Sequence, residues 1–578
     1  MMNQKVCNSV LVPIVLVFFI NPLLFAQNAN TQGKADAQIL WIYFKDKGSD
    51  QLSKLAKPTQ LITERAIKRR AKVKAVDQLV NTLDLPVYEP YVNSIKPYVT
   101  KIRAYSKWLN AVSVEIESEQ IDRIKNFKFI KNLSPVHASK KYIPVEDEKV
   151  KQINELHKKT TGLDYGASAT QLELINVPAL HEMGYYGQGV LICMLDDGFN
   201  LLNYHIAFDS LDVVATWDFI NDDASVDDTE FSGIEGWHGT KTLSSIAGYA
   251  PGLLIGPAFK ASYLLAKTEV DTSETPIEED YWVEGIEWAE NQGADIASSS
   301  LGYIDWYTWE DMDGETAVTT IAADLAVANG MIVVNSAGNE YDNALYNTII
   351  APADGKKVIA VGAVTGSGIR SAFSSVGPTA DGRIKPDVAA MGSSVVVASS
   401  SDSAAFTYSS GTSFSCPLTA GAIALLLNAN PDLTPAQVYA ALTSTASQSA
   451  SPDKYLGYGI INIKEAYYAA DTAKLMTNNF AGLPGFIYLS QNYPNPFNPK
   501  TTIAYTVDQA SEVEIKLYNL AGQLVETFPQ GYREAIKEHH FRHDYSNLAS
   551  GIYIYEIAAK ELATGNNYRK TNKMVLLK

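Results

Sequence analysis

The chain has 578 residues, of which 46% are hydrophobic, 10% aromatic and 19% charged, and it contains 3 cysteines. This length predicts several domains, and the composition excludes a disordered, collagen-like or coiled-coil chain as well as a disulfide-rich scaffold. The formal net charge of −17 at pH 7 argues against nucleic acid as a partner.

The N-terminal residues 1–26 predict a secretory signal peptide. Lys5 precedes the apolar run Val10–Ile20, and the small Ala26 stands before a polar stretch. An uncleaved membrane anchor is the alternative, but the run is short for a bilayer span and contains Pro13, so we favour cleavage near Ala26. We expect no later stretch of the sequence to be long and apolar enough to span a membrane.

Residues 27–165 and 166–470 differ in charge. The first segment has 25 Lys or Arg against 16 Asp or Glu, a net charge of +9, and the second has 10 against 38, a net charge of −28. Strand-like and helix-like runs alternate at residues 38–135, which predicts a compact α+β domain, followed by an exposed, Lys-rich connection up to residue 165. The opposite charges predict that this domain and the acidic segment associate.

Residues 166–470 contain short, wholly apolar runs that alternate with helical segments. These runs are VLICML, ADIASSS, MIVVNSAG and VIAVGAV. Runs that are apolar on both faces predict an α/β fold with a parallel sheet covered by helices on each side, in three α/β/α layers. Functional residues are expected beyond the carboxyl ends of such strands.

The C-terminal residues 471–578 follow a different pattern. From residue 471 the sequence becomes rich in Asn, Pro and Gly, and residues 471–486 predict a linker. Residues 487–578 alternate with period two in runs such as TTIAYTV and GIYIYEI, which predicts a small all-β sandwich.

Two polar motifs follow apolar runs in the acidic segment. Asp196 comes directly after the run LICML, which places a carboxylate at the carboxyl end of a buried strand, where it needs a partner. His238, in the string WHGT, stands where a loop enters a helix. Each residue alone has a commoner structural interpretation, a turn aspartate and a capping or surface histidine, so neither decides the function by itself.

A serine and an asparagine occupy comparable positions later in the segment. The string GTSFSCP leads into an apolar helix, which predicts Ser413 at its amino end and Pro417 in its first turn. Unsatisfied N–H groups and the helix dipole favour negative charge that develops beside this hydroxyl. Asn339 follows a strand in VVNSAGNE, where its amide can donate to an oxyanion. The alternatives are an N-cap serine, which does not require the whole string, and a turn asparagine.

Together, these motifs resemble those of the subtilisin-like serine peptidase family. The strings that resemble it are LICMLDDGF, WHGT, SSSLGY, NSAGNE and GTSFSCP, within about residues 170–470, and the order Asp, His, Ser is the one known for subtilisin. The resemblance implies that Ser413 is the nucleophile, His238 the general base and acid, and Asp196 the residue that orients the imidazole. It also implies an oxyanion hole formed by Asn339 and the N–H of Ser413.

The resemblance further implies how the substrate binds. Ser300, Leu301 and Gly302 correspond to the strand on which an extended substrate pairs, which favours broad endopeptidase activity on proteins or peptides. The chemistry requires no cofactor. Structural calcium is common in the family, but the sequence has no DxDxDG loop that would identify its ligands. Glu340 beside Asn339 could favour substrates with basic side chains, but a single carboxylate does not identify the natural substrate.

The sequence departs from the family at one position and offers two thiols. The family usually has Thr or Ser after the catalytic Asp, whereas this chain has Asp197, which could raise the pKa of its neighbour or bind a cation. Cys193 and Cys416 remain after removal of the signal peptide. We expect buried thiols, with a disulfide between them as the less favoured alternative in a secreted protein.

The resemblance also suggests roles for the flanking domains. Residues 27 to about 160 stand where subtilisin-like enzymes carry an inhibitory propeptide, and we expect the enzyme itself to cut the connection at about 138–168; an ordinary accessory domain is the alternative. The tail, from YPNPFNP to KMVLLK, resembles the sorting domain of the type IX (Por) secretion system, with a carbohydrate-binding or adhesive sandwich as the alternative. The expected partners are peptide or protein substrates, the propeptide and the secretion machinery.

The predicted protein is therefore a monomeric serine endopeptidase, made as an inhibited precursor and located outside the cell or on its surface. The competing hypothesis is a secreted binding or adhesive protein built on an inactive peptidase scaffold, but no substitution in the three catalytic motifs supports it. A metallopeptidase is disfavoured because the sequence has no HExxH motif.

Overall fold

A computed structural model describes most of the chain. The described residues are 37–136, 162–227, 237–270, 277–341, 349–470, 487–489, 492, 494–507, 509–534, 538–562 and 565–578. The predicted signal peptide, most of the predicted connection and the predicted linker lie outside these ranges. Two compact units result, one with residues up to Asn428 together with Gln448–Ile461, the other with Ala429–Ser447 and Asn462–Lys578.

The N-terminal domain, residues 37–136, is an α+β structure in the first unit, as the sequence predicts. Its antiparallel sheet has the order β2-β3-β1-β4. Val112, Val114 and Ile116 of the central β3 are fully buried, since every second residue of the strand faces the domain core. The elements are β1 (Ala37–Phe44), α1 (Gln51–Leu55), α2 (Glu64–Arg70), α3 (Glu89–Ile95), β2 (Lys101–Ser106), β3 (Ala111–Glu117), α4 (Ile121–Lys125) and β4 (Ile130–Pro135).

The rest of the first unit is built on a seven-stranded sheet in which all neighbouring strands are parallel. The order is β13-β12-β11-β10-β5-β9-β6. Its strands are β5 (Leu191–Asp196), β6 (Asp212–Asp218), β9 (Ser262–Lys267), β10 (Ile296–Ser299), β11 (Ile332–Ser336), β12 (Ile359–Val364) and β13 (Val388–Met391). Two small antiparallel pairs accompany it, β7 (Tyr249–Ala250) with β8 (Leu254–Ile255) and β14 (Val395–Ala398) with β15 (Phe406–Ser409).

Helices cover both faces of the parallel sheet. Ala297 of β10 packs in the apolar cluster with the central helices of one face, whereas the next residue, Ser298, has its Oγ 3.7 Å from Sγ of Cys416 on the opposite side. Because both faces are covered, β5, β10, β11, β12 and β13 are buried along their whole length, and the predicted three-layer α/β/α fold is confirmed. The helices are α5 (Ala169–Glu173), α6 (Val177–Glu182), α7 (Trp237–Ala247), α8 (Ile277–Gln292), α9 (Val318–Ala328) and α10 (Thr412–Ala429).

The buried helix α10 meets the length and apolarity of a membrane span. Among the described residues it is the one helix that does so, and 83% of it is buried inside the protein. Such burial is typical of the core helix of a globular domain. The sequence expectation that no later stretch has these properties is therefore too strict.

The second unit contains the predicted all-β domain. Its antiparallel sheets have the orders β16-β17-β20 and β19-β18-β21-β22, and side chains from both sheets share one core. The strands are β16 (Ile487–Leu489), β17 (Lys500–Val507), β18 (Ser511–Asn519), β19 (Leu524–Arg533), β20 (Glu538–Asp544), β21 (Gly551–Glu561) and β22 (Asn567–Leu576). The unit also contains α11 (Pro435–Thr445) and helical residues 463–470.

Candidate active site

An aspartate and a histidine meet at the carboxyl end of the sheet. Asp196 is the last residue of β5 and is fully buried, and its Oδ1 lies 2.6 Å from Nδ1 of His238 near the start of α7. Oδ2 accepts a hydrogen bond of 2.7 Å from Oγ1 of Thr242, one turn further along the same helix. Because a carboxylate only accepts, the imidazole donates through Nδ1–H, and in the neutral ring Nε2 is then the nitrogen with the lone pair.

The start of α10, which carries Ser413, lies close to this histidine. This serine is the second residue of α10, and the ring of the next residue, Phe414, has its centroid 6.0 Å from that of His238. Its Oγ lies 3.4 Å from the carbonyl oxygen of Ser300. The hydroxyl thus contacts the segment that follows β10, while the neighbouring Phe414 lies next to the histidine ring.

A proline in α10 leaves one carbonyl group of the helix available to the segment that follows β10. Pro417 lies inside the helix and not in its first turn as the sequence suggested, because the helix already begins at Thr412. A proline has no N–H, so the carbonyl of Ser413, four residues earlier, lacks its usual intrahelical donor. Oγ of Ser300 supplies the missing hydrogen bond at 2.8 Å.

Asn339 and Ser413 border the same small space. Oδ1 of Asn339 accepts from N of Thr412 at 2.9 Å and from its Oγ1 at 3.1 Å, so the amide nitrogen Nδ2 points elsewhere. A Cβ on Gly411 would lie 3.7 Å from this Nδ2 and 3.7 Å from both N and Oγ of Ser413. Glycine at 411 thus keeps free a space that two N–H donors surround, the arrangement that an oxyanion needs.

The segment Ser300, Leu301 and Gly302 extends β10 beyond its last paired residue, Ser299. The carbonyl oxygen of Leu301 accepts a hydrogen bond of 3.0 Å from Nδ2 of Asn335. A Cβ on Gly302 would lie 2.1 Å from Cδ1 of Ile350, so a larger residue here would have to displace the end of that side chain. The segment leads past Ser413, as the resemblance implies for an edge that pairs with substrate.

Asp197 contacts main-chain atoms of the histidine helix. Its Oδ2 accepts from N of His238 at 3.1 Å, and its Oδ1 accepts from N of Gly239 at 2.7 Å. Ligand atoms of Asp196, Asp197 and His238 all lie within 4.8 Å of one another. This set does not suit calcium, which takes six to eight oxygen ligands, because one member is a nitrogen and each carboxylate already accepts hydrogen bonds from α7.

Both described cysteines are free, buried thiols. Sγ of Cys416 lies 3.3 Å from the carbonyl oxygen of Ser299, and burial raises the pKa of this thiol to about 12. Burial also raises the pKa of Cys193. Cys416, three residues after Ser413, is therefore a poor nucleophile, because the thiolate is the reactive form.

Three family models match consecutive parts of the chain. Residues 187–459 match the subtilase family, residues 39–155 match the peptidase S8 propeptide domain of Bacteroidota, and residues 491–574 match the secretion system C-terminal sorting domain.

Known subtilisins are similar to a large part of this chain. Subtilisin of Bacillus pumilus is 31% identical over 292 residues, which cover 50% of this chain and 96% of the relative. The chain belongs to the subtilase family. Subtilisin NAT of Bacillus subtilis subsp. natto is 29% identical over 361 residues, 62% of this chain and 81% of the relative. Among solved structures, proteases from Pseudoalteromonas arctica align at 24% identity with a TM-score of 0.43, over 54% of this chain and all of that one.

This subtilase is a serine endopeptidase with a propeptide domain at its N-terminus. Its C-terminal sorting domain indicates secretion through the type IX system to the extracellular space or the cell surface. The sequence interpretation of the family, of the enzyme class, of a propeptide domain and of a C-terminal sorting domain is thus confirmed.

The propeptide of this subtilase packs on α8, and one end of their interface is held by arginines. Arg69 and Arg70 of α2 are almost completely buried and both pair with Glu290 of α8. Arg70 reaches Oε2 of Glu290 at 2.6 Å and also pairs with Asp84 of the propeptide at 2.7 Å. Burial alone would raise the pKa of Glu290, but the two guanidinium groups hold it below its usual value.

The other end of this interface places carboxyl groups against neutral donors. Glu284 accepts a hydrogen bond of 2.7 Å from N of Tyr105, and Asp280 accepts one from Oγ of Ser113. The nearest guanidinium nitrogen to Asp280, Nε of Arg103, is 3.9 Å away. Burial raises the pKa of Asp280 to about 7 and that of Glu284 to about 8.

A third carboxyl group and a tryptophan lie between the two ends. Glu287 accepts from Oγ of Ser106 at 2.5 Å and from N of Lys107 and Trp108 at 3.0 and 3.1 Å, and its burial raises its pKa. The indole of Trp108 enters the apolar cluster beneath α8. The charge contrast in the sequence predicted association, but it did not identify these residues, because they are neighbours only in the folded structure.

Proposed function

We propose that Asp196, His238 and Ser413 form the catalytic triad of a secreted endopeptidase that works through an acyl-enzyme intermediate. The observation that carries the proposal is the 2.6 Å contact between Asp196 and His238 beside a serine at a helix start. The free Nδ2 of Asn339 supports an oxyanion hole next to this serine.

In this mechanism, Nε2 of His238 takes the hydroxyl proton of Ser413 while Oγ attacks the carbonyl carbon of the scissile bond. The carbonyl oxygen becomes an oxyanion, which accepts hydrogen bonds from Nδ2 of Asn339 and from N–H of Ser413. When the C–N bond breaks, the imidazolium gives its proton to the departing amine and leaves an ester on Ser413. Water then attacks the ester with His238 as base, and Oγ recovers the proton as the acid product leaves.

Asp196 acts through the histidine. Its carboxylate holds Nδ1–H, which fixes the tautomer and stabilises the imidazolium that each step forms. Thr242 supports this role, because its hydroxyl occupies Oδ2 and fixes the orientation of the carboxylate.

The substrate would bind as an extended chain along Ser300, Leu301 and Gly302. Main-chain hydrogen bonds dominate such pairing, so we expect protein and peptide substrates of varied sequence. The link between Ser300 and the carbonyl of Ser413 would hold this edge and the nucleophile in register.

We further propose that the propeptide inhibits the monomeric precursor and that the enzyme removes it by cutting the connection at about residues 138–168. The burial of Trp108, Arg69 and Arg70 against the peptidase domain supports a stable inhibited complex. The sorting domain would then direct export through the secretion machinery.

The test compares the secreted protein with its Ser413→Ala variant by fluorophosphonate labelling and intact mass. We expect labelling and loss of the N-terminal fragment in the wild type only. Ser410→Ala is a matched control, because this exposed serine is close in sequence and its Oγ accepts only a peripheral hydrogen bond from N of Ser394. A folded, matured wild type without label would refute the triad, and a Ser413→Ala protein that matures alone in pure form would refute self-processing.

A further inference from the structure

Two consecutive carboxylates at the end of β5 hold different parts of the same residue. Asp196 holds the imidazole of His238 through Nδ1, and Asp197 holds its main chain through N. Asp197 is only 4% exposed, and its second oxygen accepts from N of Gly239. One side chain therefore serves two of the four N–H groups that a helix leaves unsatisfied at its amino end.

The loop after β5 fits closely against the start of α7. A Cβ on Gly239 would lie 2.1 Å from the carbonyl oxygen of Gly198, so the helix and the loop are in direct contact. Oγ1 of Thr240 adds a hydrogen bond of 2.7 Å to the carbonyl oxygen of Asn200. Residues that follow Asp196 directly therefore set the position of the helix start. They also set the position of the main chain that carries the imidazole.

The chemistry of the residue at 197 matters for this arrangement. A hydroxyl, as in the Thr or Ser usual for the family, has a single oxygen, whereas a carboxylate has two and accepts from both N–H groups. A negative charge at a helix amino end is also favoured by the helix dipole.

We infer that Asp197 is a positioning residue for His238: it fixes the main chain of the histidine so that Nδ1 meets Asp196 while Nε2 faces Ser413. This inference rests on the proposed triad. Asp197 acts through the main chain of His238, so we expect its loss to lower the rate of the chemical step and to leave substrate binding unchanged.

The experiment compares Asp197→Ala, Asp197→Asn and Asp197→Ser with the wild type, all matured by an added protease so that slow self-cleavage does not limit them. Asparagine retains one acceptor oxygen at the same reach, serine retains one at a shorter reach, and alanine retains none. We measure kcat and KM on an unstructured peptide, the fluorophosphonate labelling rate and the unfolding temperature.

We expect Asp197→Ala to lower kcat and the labelling rate about 10- to 100-fold, since small displacements of a catalytic group have effects of this size. KM should stay within about twofold of the wild type, and Asp197→Asn should recover part of kcat. If Asp197→Ala does not fold, the asparagine and serine variants carry the test.

Three outcomes would overturn the inference. They are unchanged kcat in a folded variant, a rise in KM at constant kcat, which would indicate a substrate contact, and a kcat that follows unfolding temperature and not the number of acceptor oxygens. Failure of the triad itself is distinguishable, because the wild type would then not label at all.

Discussion

The two ends of the propeptide interface on α8 use carboxyl groups in opposite ways. At one end, Glu290 is charged and neutralised by Arg69 and Arg70. At the other, Asp280 and Glu284 face hydroxyl and amide donors, and burial raises their pKa values. The same helix therefore carries one contact that requires ionised carboxylate and another that is strongest when the carboxyl groups are protonated.

The two ends respond to pH with opposite sign. Glu290 has a lowered pKa in the complex, so its contribution is present above the usual carboxyl range and is lost only as the pH falls through that lowered value. Asp280 and Glu284 have raised pKa values, so their contribution is complete below the ordinary values of 3.8 and 4.5. It is lost as the pH rises to about 7 and about 8, respectively.

The largest effect is expected from Glu290→Gln. This change leaves the buried Arg69 without its counter-charge and Arg70 with Asp84 alone, and breaking a buried pair costs about 3 to 5 kcal/mol. The propeptide should dissociate about 100-fold faster or more. The measurement uses a Ser413→Ala precursor cut at a protease site introduced between residues 136 and 162, with the released propeptide followed by gel filtration.

The matched control for this change is Glu284→Gln, the same isosteric substitution on the same helix. If both variants weakened the complex equally at pH 6, the distinction between the two ends would be wrong.

The next effect is that of pH on the unaltered cleaved complex. Between pH 6 and pH 8.5, ionisation of Asp280 and Glu284 should weaken propeptide binding about tenfold or more, and the loss should level off above about pH 8. Dissociation constants at several pH values, at fixed ionic strength, provide the measurement. Binding that stays constant or strengthens over this range would contradict the role of the neutral end.

The smallest effect is expected from Glu284→Gln at pH 6, where the native carboxyl is already protonated. Glutamine keeps an acceptor for N of Tyr105 but cannot ionise, so binding should stay within about threefold at pH 6. At pH 8.5 the propeptide should bind more tightly to the variant than to the unaltered protein. The loss of propeptide affinity between pH 6 and pH 8.5 should therefore be about tenfold smaller in the variant. An unchanged pH profile would assign the titration to other groups, such as Glu287, which lies one turn further along α8 and is faced by Lys107.

The positions of two candidate site residues in the fold could be predicted from local sequence patterns. Asp196 ends an apolar strand, and Ser413 begins an apolar helix, so the ends of regular elements indicate where both lie. The predicted start of α10 was wrong by a few residues. A proline in the first turn predicts that the helix begins just before Pro417, whereas the helix begins at Thr412.

The propeptide contacts could not be predicted in the same way. Arg70 and Glu290 are 220 residues apart, and no local pattern relates them. The net charge of −28 for residues 166–470 also assumes that every carboxyl group is ionised, yet burial raises the pKa of Glu279 and Glu284 to about 8. Ionisation depends on what covers α8 in the folded protein, which composition does not record.

The state of the two cysteines has a consequence for the life of the enzyme outside the cell. Cys193 and Cys416 are unpaired and enclosed, and burial raises their pKa values, which removes the thiolate that oxidants and alkylating agents attack. The described fold thus needs no oxidising catalyst to form and offers no redox-sensitive bond to break. The same peptidase domain can pass between reducing and oxidising surroundings without a change in its covalent structure.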